Sequence, residues 1–381
     1  MKFVPFALEQ WQSEHEQEVA FNLADSGVQP VSVKEMLASE EIERRMREVA
    51  LHYPVVNGTP RLRELIAGMY KTNPSQVLVT VGAAEANGAS VQSMLGPGDE
   101  VVAMEPSYRQ IWGITQNLGC KYIPFHLDQN NGWKANLDEL EAVVTPRTKL
   151  ICITNPNNPT GMILSEAEMD RIVKIAAKHG TWILADEVYR GTERLTDIET
   201  PTLFGQYDRL IAINSLSKAY GLSGLRIGWL VAPVDVVDTI WRRHEYATIS
   251  AGVLDMFFAE IALAEPMRAQ LIARTRRFIR EGYSRLEGWI QKHSPLLSIV
   301  PPESTALAFV RYHLPIPSTT VAEELRTRAS VLVAPGEHFG IEHHLRITHG
   351  LKAEYLREAL ERMGSVFEAL ASTKTTPAHA Q

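Results

Sequence analysis

The chain has 381 residues, 45% of them hydrophobic and 22% charged, with a formal net charge of −7. That balance is ordinary for a globular protein, and an acidic charge without a basic run argues against nucleic acid as a partner. No apolar run reaches the roughly 18 residues of a membrane-spanning helix, and the N-terminus lacks a signal peptide's basic flank and apolar core, so no membrane partner and a cytoplasmic location are expected.

Residues 1–45 hold Trp11 and a mixed acidic segment, then a turn signal at Asp25-Ser26-Gly27, which reads as a surface turn or a substrate-facing loop. Turn formers from Tyr53 to Pro60 lead into an amphipathic helix over 61–70. From there strand and helix alternate. A buried strand over 77–81 runs into a helix opened by Gly82-Ala83-Ala84, then comes a strand over 100–104 and a helix over 108–117. A further strand covers 149–154. The helix over 165–179 has Ser165 and Glu168 as a capping box and Gly180 as its stop. Strands follow over 181–185, 209–214 and 227–232. Such alternation predicts a mostly parallel sheet covered on both faces, with a ligand at the carboxyl ends of its strands. Near residue 286 the pattern changes to short strands at 298–300, 306–310 and 331–333, with helices over 319–328 and 353–370. The expected organisation is a large domain at 46–285, a smaller α+β domain from 1–45 and 286–370, and a frayed tail at 371–381. Cys120 and Cys152 fall in apolar segments and read as buried thiols, with no metal site expected.

The chemistry concentrates between the strands at 209–214 and 227–232, where Ser215, Ser217, Lys218 and Arg226 lie with two glycines. A desolvated lysine amine has a lowered pKa and condenses with aldehydes. An arginine fork clamps phosphate, and hydroxyls with nearby backbone N–H groups complete such a site. Aldehyde plus phosphate describes pyridoxal 5'-phosphate (PLP). Its pyridine nitrogen needs a buried carboxylate, for which Asp186, at the end of the strand over 181–185, is well placed.

The stretch from Ser215 to Trp229 resembles the cofactor-lysine segment of the class I/II aminotransferases, within the fold-type I PLP enzymes, and the likeness extends over about 50–350. The resemblance implies further roles. Asn158, in Asn155-Pro156-Asn157-Asn158-Pro159-Thr160-Gly161, and Tyr189 would donate to the cofactor's phenolic oxygen, with a cis Asn158-Pro159 bond. Gly82-Ala83-Ala84-Glu85 resembles the phosphate turn, with amides at Ala83 and Ala84; the hydroxyl often found there is missing, which shifts weight to Ser215, Ser217 and Arg226. Tyr108 would stack on the ring, Arg346 would hold a substrate α-carboxylate, and Tyr53 would reach the partner's phosphate in an obligate homodimer. Lys218 would be the general base, moving an amino group from an L-amino acid to a 2-oxo acid. Residues 8–11 and 26–28 also resemble capreomycidine synthase, which makes Gly27 a candidate substrate contact and a lyase or cyclase acting on an arginine-like amino acid the alternative. A PLP-binding regulatory module is a third class, but the segment before Tyr53 is short for a DNA-binding domain. Among His15, Glu16, Asp25 and Arg109, surface charges are the better reading than pocket contacts.

Overall fold

The structure, a computed structural model, describes residues 3–372. Its centre is an eight-stranded sheet in the order Val77–Val81, Ile227–Val231, Leu210–Ser215, Trp182–Asp186, Thr148–Thr154, Glu100–Glu105, Lys121–Asp128, Lys134–Ala135. Six strands point one way; Ile227–Val231 and Lys134–Ala135 run against them. Runs such as Val77-Leu78-Val79 and Leu210-Ile211-Ala212-Ile213 are buried on both faces, and alternate residues feed two separate cores. Val79, Ile151, Ile183 and Trp229 enter one core, and Leu78, Leu150, Leu184 and Leu230 the other. The helix Gly82–Met94 packs on the second face through Ala86 and Val91, while Glu166–His179 covers the first through Met169, Ile172 and Ala176. That helix starts at the Ser165/Glu168 capping box and stops at left-handed Gly180, as its sequence predicts.

A second sheet, entirely antiparallel, has the order Leu297–Ile299, Leu307–Tyr312, His344–Thr348, Ala334–Pro335. The helices Met267–Lys292 and Ala353–Ser372 cover it through Leu286, Trp289, Met363 and Phe367. Phe21–Asn22 pairs in parallel with Val331–Leu332 and so ties the N-terminal segment to this region. The helix Met267–Lys292 runs unbroken across position 285. The last helix continues through Ala371 and Ser372, two residues beyond its expected end; the rest of the expected tail, 373–381, lies outside the described residues. The strands Lys121–Asp128 and Lys134–Ala135 and the N-terminal helix Ala7–His15 have no counterpart in the sequence-based expectation. Cys120 and Cys152 are buried and unbonded to each other. No described helix is long and apolar enough to cross a membrane, and the described residues include no cluster able to hold a metal ion.

Candidate active site

The strand directions decide where chemistry can collect. Trp182–Asp186, Leu210–Ser215 and Thr148–Thr154 end at one edge of the large sheet, and Val77–Val81 ends there too. Because Ile227–Val231 runs the opposite way, its start lies at this same edge, which brings Arg226 to it. A cavity of about 400 Å³ opens there, lined by Ala83, Ala84, Asn87, Tyr108, Asn158, Asp186, Tyr189, Ser215, Ser217, Lys218 and Arg226. Residues spread over more than 140 positions of sequence therefore meet in one place, as ligand sites of open α/β sheets do.

Lys218 follows the strand Leu210–Ser215 and is half-buried, its Nζ donating to Ser26 Oγ at 2.7 Å. Burial lowers its pKa from the usual lysine value; the Asp25 charge opposes that shift and the Arg346 charge assists it. Asp186 ends its strand with Oδ2 accepting from Asn87 Nδ2 at 2.8 Å and Oδ1 accepting from the Val188 N–H at 3.2 Å. Burial raises its pKa and outweighs these bonds and the attraction of Lys218. Tyr189 donates to the Ser26 carbonyl at 3.3 Å, and burial pushes its phenol above the usual range. Asn158 Oδ1 accepts from Arg346 Nη1 at 3.1 Å, and the Asn158-Pro159 bond is cis. Arg346 is buried behind the cavity wall, with Nη2 donating to the Ala24 carbonyl and Nε unpartnered.

The wall beneath Arg226 is built from glycine. Gly82 has φ +75°, and a Cβ added to it would collide with the Arg226 guanidinium. A Cβ on Gly228 would collide with the Gly82 carbonyl carbon and the Ala83 nitrogen. Strand Ile227–Val231 and the start of helix Gly82–Met94 thus meet backbone to backbone, which leaves N–H groups of the helix's first turn beside a guanidinium. Ser215 and Ser217 are buried nearby, Ser217 N–H donating to Ser215 Oγ at 3.2 Å. Tyr108 packs against Phe6 with ring centroids 4.9 Å apart and donates to Glu9 Oε1 at 2.6 Å; burial raises its phenol well above the usual value.

Besides Arg346, two expected site residues stand outside this lining. Gly27 is buried next to Ser26, which does line the cavity, and its carbonyl accepts from Thr348 Oγ1 at 3.0 Å. Tyr53 is 83% exposed and does not reach the cavity of its own chain. Glu16 and Asp25 do line it, although both are exposed, whereas His15 and Arg109 do not. Glu9 and Ser26 also line the cavity; they fall in segments that sequence reasoning singled out without giving either residue a role, whereas Asn87 it missed altogether. Asn87 left one clue, a large polar side chain among the small and apolar buried residues of its helix.

PLP needs an amine, a carboxylate, an anion cradle and donors around the ring, and the cavity supplies each. Asn87 Oδ1 on its wall and Arg346 Nε behind it are buried without partners, which fits a site completed by ligands. The family model for class I and II aminotransferases matches residues 23–363. The chain belongs to that family. Relatives include an arginine–pyruvate transaminase from Pseudomonas aeruginosa, 31% identical over 82% of this chain and 81% of its own. Capreomycidine synthase from Streptomyces vinaceus is 29% identical over 89% of this chain and 88% of its own. A crystallised PLP-dependent aminotransferase from Streptococcus suis superposes with a TM-score of 0.91 at 31% identity, covering 97% of this chain and 99% of the other. The aminotransferase is a fold-type I enzyme whose cofactor is PLP.

Proposed function

We propose that this aminotransferase moves the amino group of an L-amino acid to a 2-oxo acid, with Lys218 as the residue that carries the reaction. The observation behind this reading is one amine with a lowered pKa in the same cavity as Asp186 and Arg226, with Arg346 behind its wall. When bound, PLP supplies an aldehyde carbon and a ring that stabilises negative charge at the substrate Cα.

The chain's residues then have distinct tasks. Arg226, Ser215, Ser217 and the amides of Ala83 and Ala84 hold the phosphate. Asp186 keeps a proton on the ring nitrogen by charge pairing, and Asn158 and Tyr189 donate to the phenolic oxygen. Tyr108 covers one ring face. Arg346 grips the α-carboxylate with its guanidinium fork and so aims the Cα–H bond, with Gly27 beside it. Lys218 Nζ, whose pKa burial lowers, takes the Cα proton and gives it back at the neighbouring carbon. In this reading residues 46–285 carry the cofactor, residues 1–45 with 286–370 carry the carboxylate grip, and Tyr53 reaches the partner's phosphate in a homodimer.

The test uses purified protein and its visible absorption. Lys218→Ala is expected to lose the absorption band of lysine-bound cofactor and all turnover, while wild type converts amino donors to 2-oxo acids. Turnover in the variant with an unchanged spectrum would sink the assignment. A lyase or cyclase acting on an arginine-like amino acid is the second reading, favoured by the capreomycidine synthase relative. Release of ammonia or a cyclised product, in place of a 2-oxo acid, would select it.

A further inference from the structure

Under the proposed reaction the cavity's charges do not balance, and a subsite inferred from that imbalance depends on the reaction being right. Lys218, Arg226 and Arg346 are taken up by the aldehyde, the phosphate and the α-carboxylate, and Asp186 by the ring nitrogen. Three more carboxylates face the same cavity: Glu9 on the helix Ala7–His15, Glu16 at that helix's C-terminal cap, and Asp25 in the turn that follows.

Among the described residues none of the three makes a salt bridge, although many surface carboxylates of this chain do. Glu9 accepts one hydrogen bond, from neutral Tyr108. Asp25 Oδ1 accepts only from the backbone N–H groups of Ser26 and Gly27, at 2.5 and 3.2 Å. The polar side chains between them on the wall, Gln12, Ser13 and Ser26, are neutral. The cations whose charge reaches Glu9 and Asp25 are Lys218 and Arg346, and their hydrogen bonds go elsewhere: Lys218 donates to Ser26 Oγ and Arg346 to Asn158 and the Ala24 carbonyl, while Arg109 pairs with Glu105 at 3.1 Å. His15 points to Glu18 at 3.2 Å. The cavity also needs a ligand on independent grounds, because Asn87 Oδ1 is buried on its wall without a partner.

We propose that Glu9, Glu16 and Asp25 form the side-chain subsite and select amino donors whose side chain ends in a cation, a guanidinium or an ammonium group. Three like charges around one opening repel one another, and a cation among them removes that cost while a carboxylate adds to it. A guanidinium suits the arrangement better than an ammonium. Its five N–H donors lie in a rigid plane and can reach several acceptors at once, and it is the more weakly hydrated of the two. The subsite serves the reaction by choosing the donor; Lys218 treats any correctly held Cα alike.

The test is the single-turnover half-reaction of the holoenzyme, followed by loss of the visible cofactor band. The donors are arginine with its neutral isostere citrulline, lysine with its neutral counterpart norleucine, and glutamate. Arginine is expected to exceed citrulline in kcat/KM by about tenfold or more, the scale of one charge-assisted hydrogen bond, with lysine likewise above norleucine and glutamate the poorest. Glu16→Gln and Asp25→Asn are each expected to shrink the arginine-to-citrulline ratio severalfold, and Glu16→Lys, at an exposed position, to move preference towards glutamate. Citrulline or glutamate matching arginine, or a ratio that none of the variants moves, overturns the subsite. Turnover of neutral donors in those same runs leaves the aminotransferase reading standing. No spectral change with any donor overturns both.

Discussion

Asn87 is the residue that changes the picture of Asp186. Burial raises the pKa of that carboxyl, and the 2.8 Å bond from Asn87 Nδ2 works against the rise by favouring the charged form. Asn87→Ala removes this donor from a buried acceptor and lets burial dominate. The Asp186 pKa then rises further, which weakens the pairing with the ring nitrogen that the proposed function gives it. Cofactor binding, measured by fluorescence on dilution, is expected to become about tenfold weaker, the scale of one hydrogen bond to a charged group. An unaltered dissociation constant would show the amide to be packing alone. Lys218, Asp186 and Arg226, which the structure gathers at one cavity, could be nominated from residue types that a phosphate-bearing aldehyde requires, whereas Asn158, on the same wall, was reached only through the family resemblance, its Asn/Pro stretch alone being a turn signal. Asn87 was not legible, because its meaning depends on a strand end 99 residues away, and an asparagine inside a helix carries no such information alone.

At the scale of elements, the helix Met267–Lys292 is anchored by an ion pair between Arg276 and Glu193, both buried. Burial raises the Glu193 pKa, but the N–H groups of Thr200 and Gly191 and the Arg276 guanidinium more than offset this and leave it lowered. A carboxyl with a depressed folded-state pKa contributes stability that is present above its unfolded value of about 4.3 and is lost as pH falls through the folded value. Arg276→Met strands Glu193 as an uncompensated charge, at an expected cost of about 3–5 kcal/mol at pH 7. Urea unfolding at pH 7 and pH 4 checks both claims: the variant's midpoint should drop at pH 7, and the fall in midpoint towards pH 4 should be smaller than in wild type. The strands of the large sheet were readable as apolar runs between turn formers. Lys121–Asp128 was not, since it mixes charged, aromatic and proline residues and alternates between buried and exposed towards its end. The helix Ala7–His15 was equally hidden, as Leu8 is its single buried residue.

For the whole molecule, alternation of strand and helix was enough to foresee the α/β architecture, and the change of pattern near residue 286 foresaw a second sheet. The parallel pairing of Phe21–Asn22 with Val331–Leu332 was beyond reach, because two residues of strand leave no periodicity to read. Leu51, Tyr53 and Val55 are exposed within one short loop, at 78%, 83% and 50%. Contiguous apolar side chains in water mark a contact surface. The proposed homodimer predicts sedimentation at twice the 42.6 kDa chain mass. Tyr53→Phe is expected to keep that mass yet hold PLP several times less tightly, about the value of one hydrogen bond to phosphate. A fully active species of single-chain mass would contradict the shared site.

The opening segment is held by Trp11 Nε1 on the Val333 carbonyl, by paired bonds between Val4 and Asn117, and by Tyr108 on Glu9. These few clasps make a doorpost of the protein's first helix. An affinity handle fused ahead of Met1 would be tethered eight residues before Glu9 in the sequence, near enough for a polyhistidine stretch to reach and crowd three acidic side chains. Preparations bearing such a handle and preparations with it cleaved away should be compared before any donor preference is ascribed to the enzyme itself.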